Sequence, residues 1–348
     1  MSAAATRPRK PPIPVLLVTG ARGAGKTRLI NRLLGEPAFA GTAVIVNEAG
    51  ATAVEGAMVE RAEDGIVALS GGCVCCTVRG ELVEAMERLL RALDNGRIET
   101  LSRVIIETAG SADPIPVLGL IARHPYLSMR FRLDGIIAVA SNPEQLDADA
   151  QRRQVAAADV VILPRTAEAD LMTARISQLN PSAPILAVDV PGLAAKLTGL
   201  FDPIDDPGRL AAWLAFDRYP LEPGGQAPPY SAFVLARDGA IPSSALWDFL
   251  DRLTLDHGDK LVRLRGIVRN EEGEPVLVHA IGGLFSVPQI LAEWPDGDRR
   301  TRLAVVARDL DRPALEALVD AFTGGAIDTA DRAALLANPL AIPGFRAR

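Results

Sequence analysis

From position 20 to 27 the chain places Gly20, Ala21, Arg22, Gly23, Ala24, Gly25, Lys26 and Thr27 in sequence, the pattern of a phosphate-binding P-loop. Glycines at these spacings let backbone N–H groups close around phosphate oxygens, and a helix beginning at the lysine adds positive potential. Lys26 is placed to reach the β- and γ-phosphates, and the Thr27 hydroxyl to ligate Mg²⁺. Lysine is otherwise confined to Lys10, Lys196 and Lys260, so this one is not drawn from a lysine-rich background. The segment predicts binding of a nucleoside polyphosphate.

Two further segments carry chemistry. Val104-Ile105-Ile106-Glu107 reads as a buried strand ending in an acid, followed by Thr108-Ala109-Gly110. In a P-loop protein that acid belongs beside Mg²⁺ and the γ-phosphate, and Gly110 lets a backbone N–H approach the phosphate. The run Gly71-Gly72-Cys73-Val74-Cys75-Cys76 gathers all three cysteines of the chain. Three thiolates suit a soft or borderline ion such as Zn²⁺, Co²⁺ or Cu⁺, and leave a tetrahedral site one ligand short, as a site that takes up and releases metal needs. A redox-active thiol pair and inert buried cysteines are the alternatives. Glu48, in Asn47-Glu48-Ala49-Gly50, closes the second strand and opens a polar stretch reaching Ser70, where a γ-phosphate sensor is expected. It could ligate Mg²⁺, orient water or complete the cysteine site. His124, His257 and His279 are scattered without metal-ligand spacing, and read as surface or packing residues.

The elements that must hold these residues alternate. Strands are expected at Val15–Thr19, Ala43–Asn47, Val104–Glu107, Ile136–Ala140, Val160–Leu163 and Ile185–Val188. Helices are expected at about Lys26–Leu34, Arg79–Leu93, Ile115–Arg123 and Ala169–Leu179. Such alternation implies an α/β fold, a mainly parallel sheet with helices on both faces and ligands beyond the carboxyl ends of its strands. Residues 1–200 form this domain. Residues 201–229, rich in proline and glycine, read as a linker with one short helical stretch near Leu210–Leu214. A smaller α/β domain follows at 230–325, with strands at Ser231–Leu235, Leu261–Val268, Val276–His279 and Leu303–Val306 and helices at Ser243–Leu253 and Pro313–Phe322. The tail 326–348 reads as peripheral.

Composition narrows the partners. At 348 residues the chain can bury two cores, and its net charge of −6 gives no general reason to expect nucleic acid. No uninterrupted apolar run is long enough to span a bilayer, so no membrane partner is expected. The basic start, with Arg7, Arg9 and Lys10, leads into an apolar stretch that runs straight into the P-loop, which reads as a strand rather than a targeting segment. A cytoplasmic setting follows, and it keeps the clustered thiols reduced.

Taken in order, the P-loop, Asn47-Glu48, Gly72 to Arg79 with its Cys-x-Cys-Cys element, Glu107-Thr108-Ala109-Gly110 and Leu133-Asp134-Gly135 resemble the CobW-like GTPases, relatives of the urease and hydrogenase nickel-insertion GTPases. Residues 261–268 and 301–324 are similar to the C-terminal domain of that family. The resemblance implies a GTP-dependent metallochaperone or metal insertase with zinc or cobalt as cargo. It implies that Lys26 and Thr27 bind phosphate and Mg²⁺, that Glu48 and Glu107 serve the Mg²⁺ and hydrolytic site, and that Cys73, Cys75 and Cys76 hold the transferred metal. The second domain would recognise a client metalloprotein, and the oligomeric state stays open between monomer and homodimer.

One element departs from the family. Where the family reads guanine with Asn-Lys-x-Asp, this chain has Pro164-Arg165-Thr166-Ala167. Arg165 can lay its stem against a base, but Ala167 cannot accept hydrogen bonds from guanine, and Glu168 stands one position late. Guanine selectivity is therefore expected to be weakened. The family's inter-domain His-rich tract is also missing. Two other readings remain: a degenerate nucleotide- and metal-binding module with little hydrolysis, and a P-loop ligase or kinase acting on a small molecule.

Overall fold

Apolar runs closed by a glycine or an acid build the first sheet. The computed structural model describes residues 11–48, 66–70, 78–200, 207–219, 229–310 and 312–323. Strand β1 (Ile13–Gly20) leads into helix α1 (Lys26–Leu34), followed by β2 (Thr42–Glu48), β3 (Ile66–Ser70), α2 (Val78–Asp94) and β4 (Arg103–Glu107). Then come α3 (Pro114–Arg123), α4 (Pro125–Arg130), β5 (Phe131–Val139), α5 (Asp149–Ala157), β6 (Val160–Leu163), α6 (Ala169–Leu179), β7 (Ile185–Ala187) and α7 (Leu193–Lys196). The seven strands are parallel and run β3-β2-β4-β1-β5-β6-β7, so β1 and its loop lie at the centre.

Side chains alternate across this sheet as a strand's two-residue period requires. Val15, Leu17, Val104 and Ile106 meet Leu82, Met86, Ile115, Val155 and Ile176 on one face. Leu16, Val18 and Ile105 meet Leu29, Ile30, Leu33, Leu193 and Leu197 on the other. Burial on both faces explains why these strands read as continuous apolar runs.

The second sheet is antiparallel and has six strands. After α8 (Pro207–Leu214) come β8 (Tyr230–Arg237), α9 (Ser243–His257), β9 (Leu261–Arg269), β10 (Pro275–Ile281), β11 (Leu284–Phe285), β12 (Gln289–Ile290), β13 (Thr301–Arg308) and α10 (Arg312–Thr323). The order is β11-β10-β9-β13-β8, with β12 also paired to β10. One face carries Phe233, Leu235, Leu303 and Val305 against Phe249, Leu253, Leu315 and Val319 of α9 and α10. The other turns Tyr230, Ala232, Ala304 and Val306 into the same apolar cluster that holds Val155 and Ile176, so the two sheets share one continuous core.

The structure corrects the sequence reading at several elements. The stretch expected to be polar as far as Ser70 ends in strand β3, which pairs with β2 from Val44↔Ile66 to Glu48↔Ser70. Helices α4, α5 and α7 and the short strands β11 and β12 were not expected, and β5 begins at Phe131 rather than Ile136. The helix expected inside the linker is present as α8. Its Leu210, Trp213 and Leu214 are buried against Ile267 and Leu277 of the second sheet. The remaining linker positions 201–206 and 220–228, and the tail 326–348, lie outside the described residues.

Candidate functional site

Backbone geometry dictates the glycines of the loop. Gly20 sits at φ 143°, and a Cβ there would lie 2.3 Å from the carbonyl oxygen of Val139. Gly25 caps α1 in the left-handed region at φ 101°, with no side-chain cap on the helix. The first-turn N–H groups of a helix have no intrahelical partner, so they are suited to an anion. Lys26 is buried, and its Nζ donates to the carbonyls of Gly20 at 3.1 Å and Ala21 at 3.2 Å. Its ammonium is thus folded under the loop it is expected to serve.

Glu107 reaches the same place from the neighbouring strand. It ends β4 opposite Val18 of β1, and is 1% exposed. The Thr27 hydroxyl donates to its carboxylate, at 3.0 Å to Oε1 and 3.2 Å to Oε2. The Thr108 N–H donates to the Val18 carbonyl at 2.9 Å, and its hydroxyl to Thr19 Oγ1 at 2.9 Å, which fixes the end of β4 against the end of β1. Gly110 follows so close to the loop that a Cβ on it would lie 2.5 Å from the Arg22 nitrogen. The sequence therefore brings Gly20 to Thr27, Glu107 and Gly110 together, as expected.

Two site residues had no sequence signal. Gln151 and Gln154 of α5 both donate to the Gly110 carbonyl, at 2.8 and 3.1 Å, and Gln154 also reaches the Ala112 carbonyl at 2.9 Å. Their helix was itself unexpected. Asp113 caps α3 by accepting from the Ile115 N–H at 2.9 Å and pairs with Arg153 of α5 at 2.5 Å. The turn after Glu107 is thereby tied to α5 at several points.

The other expected residues fall elsewhere or outside the description. Glu48 is the last residue of β2, which borders β4 through Val46↔Glu107; its side chain, and Cys73, Cys75 and Cys76, lie outside the described residues. Arg165, after β6, donates from Nε to Asp189 Oδ2 at 2.6 Å, beyond the end of β7. That hydrogen bond, with a backbone one, holds the Asp189 carboxyl below its ordinary range. Glu168 is exposed and precedes α6, its N–H donating to Thr166 Oγ1 at 3.2 Å. Asp134 is a clamp: its Oδ1 accepts from the Gly199 N–H at 3.1 Å, and its carboxylate pairs with Arg103 and Arg132. His124 accepts the Leu127 N–H at 3.3 Å as a helix cap, whereas His257 and His279 are buried.

Residues 14–187 match the family described as CobW/HypB/UreG, nucleotide-binding domain. The chain belongs to that family. Residues 230–323 match the cobalamin synthesis protein cobW C-terminal domain, so both sheets are accounted for. Among curated relatives, the zinc chaperone YjiA of Escherichia coli (strain K12) is 31% identical over 90% of this chain and 98% of its own. The zinc chaperone CobW of a Sinorhizobium species is 26% identical over 89% of this chain and 97% of its own. The crystal structure of Zn(II)-bound YjiA GTPase from E. coli superposes with a TM-score of 0.66 at 25% identity, covering 90% of this chain and 99% of that one. This CobW-type chain is a P-loop GTPase. No helix among the described residues is long and apolar enough to cross a membrane.

Proposed function

We propose that this CobW-type GTPase is a metallochaperone. It takes up a thiophilic metal ion, zinc or cobalt, on the thiolates of Cys73, Cys75 and Cys76, and gives it to a client metalloprotein in step with GTP hydrolysis. The observation that carries this reading is the extent of the likeness, since a curated zinc chaperone matches over 90% of this chain and 98% of its own. A P-loop kinase or ligase has no reason to share the second sheet as well.

The nucleotide chemistry follows from the residues in place. The first-turn amides of α1 and the Lys26 ammonium bind the phosphates, Lys26 exchanging the Gly20 and Ala21 carbonyls for phosphate oxygens. The Thr27 hydroxyl and Glu107 carboxylate form an all-oxygen pair 3.0 Å apart, a donor set that fits Mg²⁺. Mg²⁺ held by Thr27 and Glu107 would supply positive charge against the nucleotide phosphates. Gly110, held by Gln151 and Gln154, offers its N–H to the γ-phosphate, and Glu48 serves the hydrolytic water from the adjacent strand. Nucleotide state reaches the thiols through the stretch from Glu48 to Cys76, which leaves β2 at the carboxyl end of the sheet, where Glu107 ends the neighbouring β4. The second sheet presents the surface that recognises the client.

Titration of Zn²⁺ and Co²⁺ against a competing chelator, with GTP, GDP or no nucleotide, tests this. We expect one tightly bound metal whose affinity differs between GTP and GDP, proton release on binding, and loss of that metal in the Cys73→Ser, Cys75→Ser, Cys76→Ser variant. The same affinity in the triple variant would place the metal elsewhere. Affinity indifferent to nucleotide, with negligible turnover, would favour a degenerate module, the reading that Ala167 in place of a guanine-reading acid supports.

A further inference from the structure

The turn after Glu107 cannot fix its own direction. Gly110 has to be glycine, since a Cβ there would lie 2.5 Å from the Arg22 nitrogen, and glycine is the residue whose backbone sterics constrain least. Its carbonyl is held from outside, by Gln151 and Gln154 of α5. Gln154 and Arg153 hold the residues that follow, at the Ala112 carbonyl and the Asp113 carboxylate. Where α5 sits therefore decides where the turn points.

Helix α5 is in turn seated by the second sheet. Ala148 at its N-cap offers no side-chain acceptor to the first-turn amides. Its first residue, Asp149, is instead held by Tyr230 of β8 and Arg308 of β13, which stand directly opposite each other in the antiparallel ladder. The Tyr230 hydroxyl donates to Asp149 Oδ1 at 3.1 Å, and Arg308 Nη1 pairs with Oδ2 at 3.2 Å. One cross-strand pair thus supplies a partner to each carboxylate oxygen. Tyr230 is buried, and burial followed by the Asp149 carboxylate raises its pKa, so the phenol keeps the proton it donates. At the other end of α5, the buried Arg263, which shares the Asp159 carboxylate with Arg265, donates to the Ala157 carbonyl at 2.6 Å. The turn between β10 and β11 also reaches the segment after Gly110: a Cβ on Gly282 would lie 2.1 Å from the side chain of Ile115, in the first turn of α3. Asp149 and Arg308 are 49% and 38% exposed, and ion pairs of that kind add little to stability. Their arrangement is better suited to holding a position.

We propose that Tyr230 and Arg308 are positioning residues for GTP hydrolysis. Through Asp149 they seat α5, whose glutamines hold the Gly110 turn against the γ-phosphate. The proposal rests on the reading of that turn as the one that meets the γ-phosphate.

Single-turnover hydrolysis of GTP by the full chain, beside its affinities for GDP and for a non-hydrolysable GTP analogue, tests this. Tyr230→Phe removes one oxygen and Arg308→Gln changes a partly exposed side chain, so the core stays in place. Together they should slow hydrolysis about tenfold, the worth of a charge-assisted hydrogen bond, with both affinities changed by less than about twofold. Arg308→Lys, which keeps the charge, should keep most of the natural rate. In a Gln151→Leu, Gln154→Leu background the Tyr230 and Arg308 changes should cost little further rate, because they act through the same carbonyl. An unchanged rate, a rate and affinity that fall together, or a full further loss in the glutamine background would each overturn the proposal. Unchanged hydrolysis in the glutamine variant itself would instead remove the turn from the γ-phosphate, and the proposal with it.

Discussion

At the scale of single residues, the P-loop lysine has a structural task beside the chemical one proposed for it. Its buried Nζ ties the Gly20 and Ala21 carbonyls together before any phosphate arrives. Lys26→Ala should therefore abolish nucleotide binding or hydrolysis and also loosen the loop, at a cost of about 1–2 kcal/mol. Nucleotide affinity and turnover, read beside urea unfolding, separate the two effects. Unchanged turnover in the folded variant would remove Lys26 from the chemistry. The base-reading element is the second case. Ala167 offers no acceptor, Arg165 is engaged by Asp189, and Glu168 stands exposed ahead of α6. The triple change Pro164→Asn, Arg165→Lys, Ala167→Asp should raise discrimination of GTP over ATP by about a hundredfold, as buried polar pairing outperforms space filling. Competition binding of the two nucleotides decides it. Strong native selectivity, unchanged by the restoration but lost in Glu168→Ala, would mean that the neighbouring acid already reads the base.

At the scale of elements, legibility followed periodicity. The glycine loop, the strand ending in Glu107 and helix α1 could be read because buried parallel strands are apolar runs and α1 alternates Leu29, Ile30 and Leu33 at helical spacing. Helix α5 could not, since Asp149-Ala-Gln-Arg-Arg-Gln-Val-Ala-Ala157 buries Gln154, Val155, Ala156 and Ala157, four consecutive residues rather than a stripe of large apolar ones at helical spacing. Strand β3 was missed because its short apolar run, Ile66 to Leu69, directly follows Glu60, Arg61, Glu63, Asp64 and Gly65, a charged segment that reads as a loop. The cost of missing α5 was the site residues Gln151 and Gln154. Packed between the Gly110 turn and the second sheet, α5 also receives Arg263 at its Ala157 carbonyl and Tyr230 at Asp149. It is hydrogen-bonded on one side to the Gly110 turn and on the other to the second sheet. Gln154→Leu keeps the volume and removes both donations. We expect slower GTP hydrolysis with nearly unchanged nucleotide affinity, and a loss of about 1–3 kcal/mol in stability. Affinity falling in step with hydrolysis would show that α5 supports the loop as a whole rather than Gly110.

At the scale of the molecule, the two sheets are joined by a shared apolar core and by buried charge, so acid should act on their junction. His279 of β10 lies in that junction with its ring edge-on to Trp213, centroids 5.3 Å apart. Burial first, then the charges of Arg263 and Arg265, lower its pKa from 6.5 to about 3. The sign follows from proton counts. Above 6.5 neither the folded nor the unfolded imidazole is protonated; between 6.5 and about 3 the unfolded chain holds a proton that the folded chain excludes. Stability therefore falls as pH drops through that window, and the loss stops below the folded value. Carboxylates that pair in the folded chain act in the same direction, so the histidine is isolated only by difference. His279→Phe keeps an aromatic edge against Trp213 and removes the titration; His279→Gln serves if the larger ring does not fit. Between about pH 7 and about pH 5, either variant should lose less stability than the natural chain, by about 2 kcal/mol, in urea unfolding at each pH. An unchanged difference would mean that the unfolded chain and the junction hold the same proton, and that the charge between the sheets is not sealed from water.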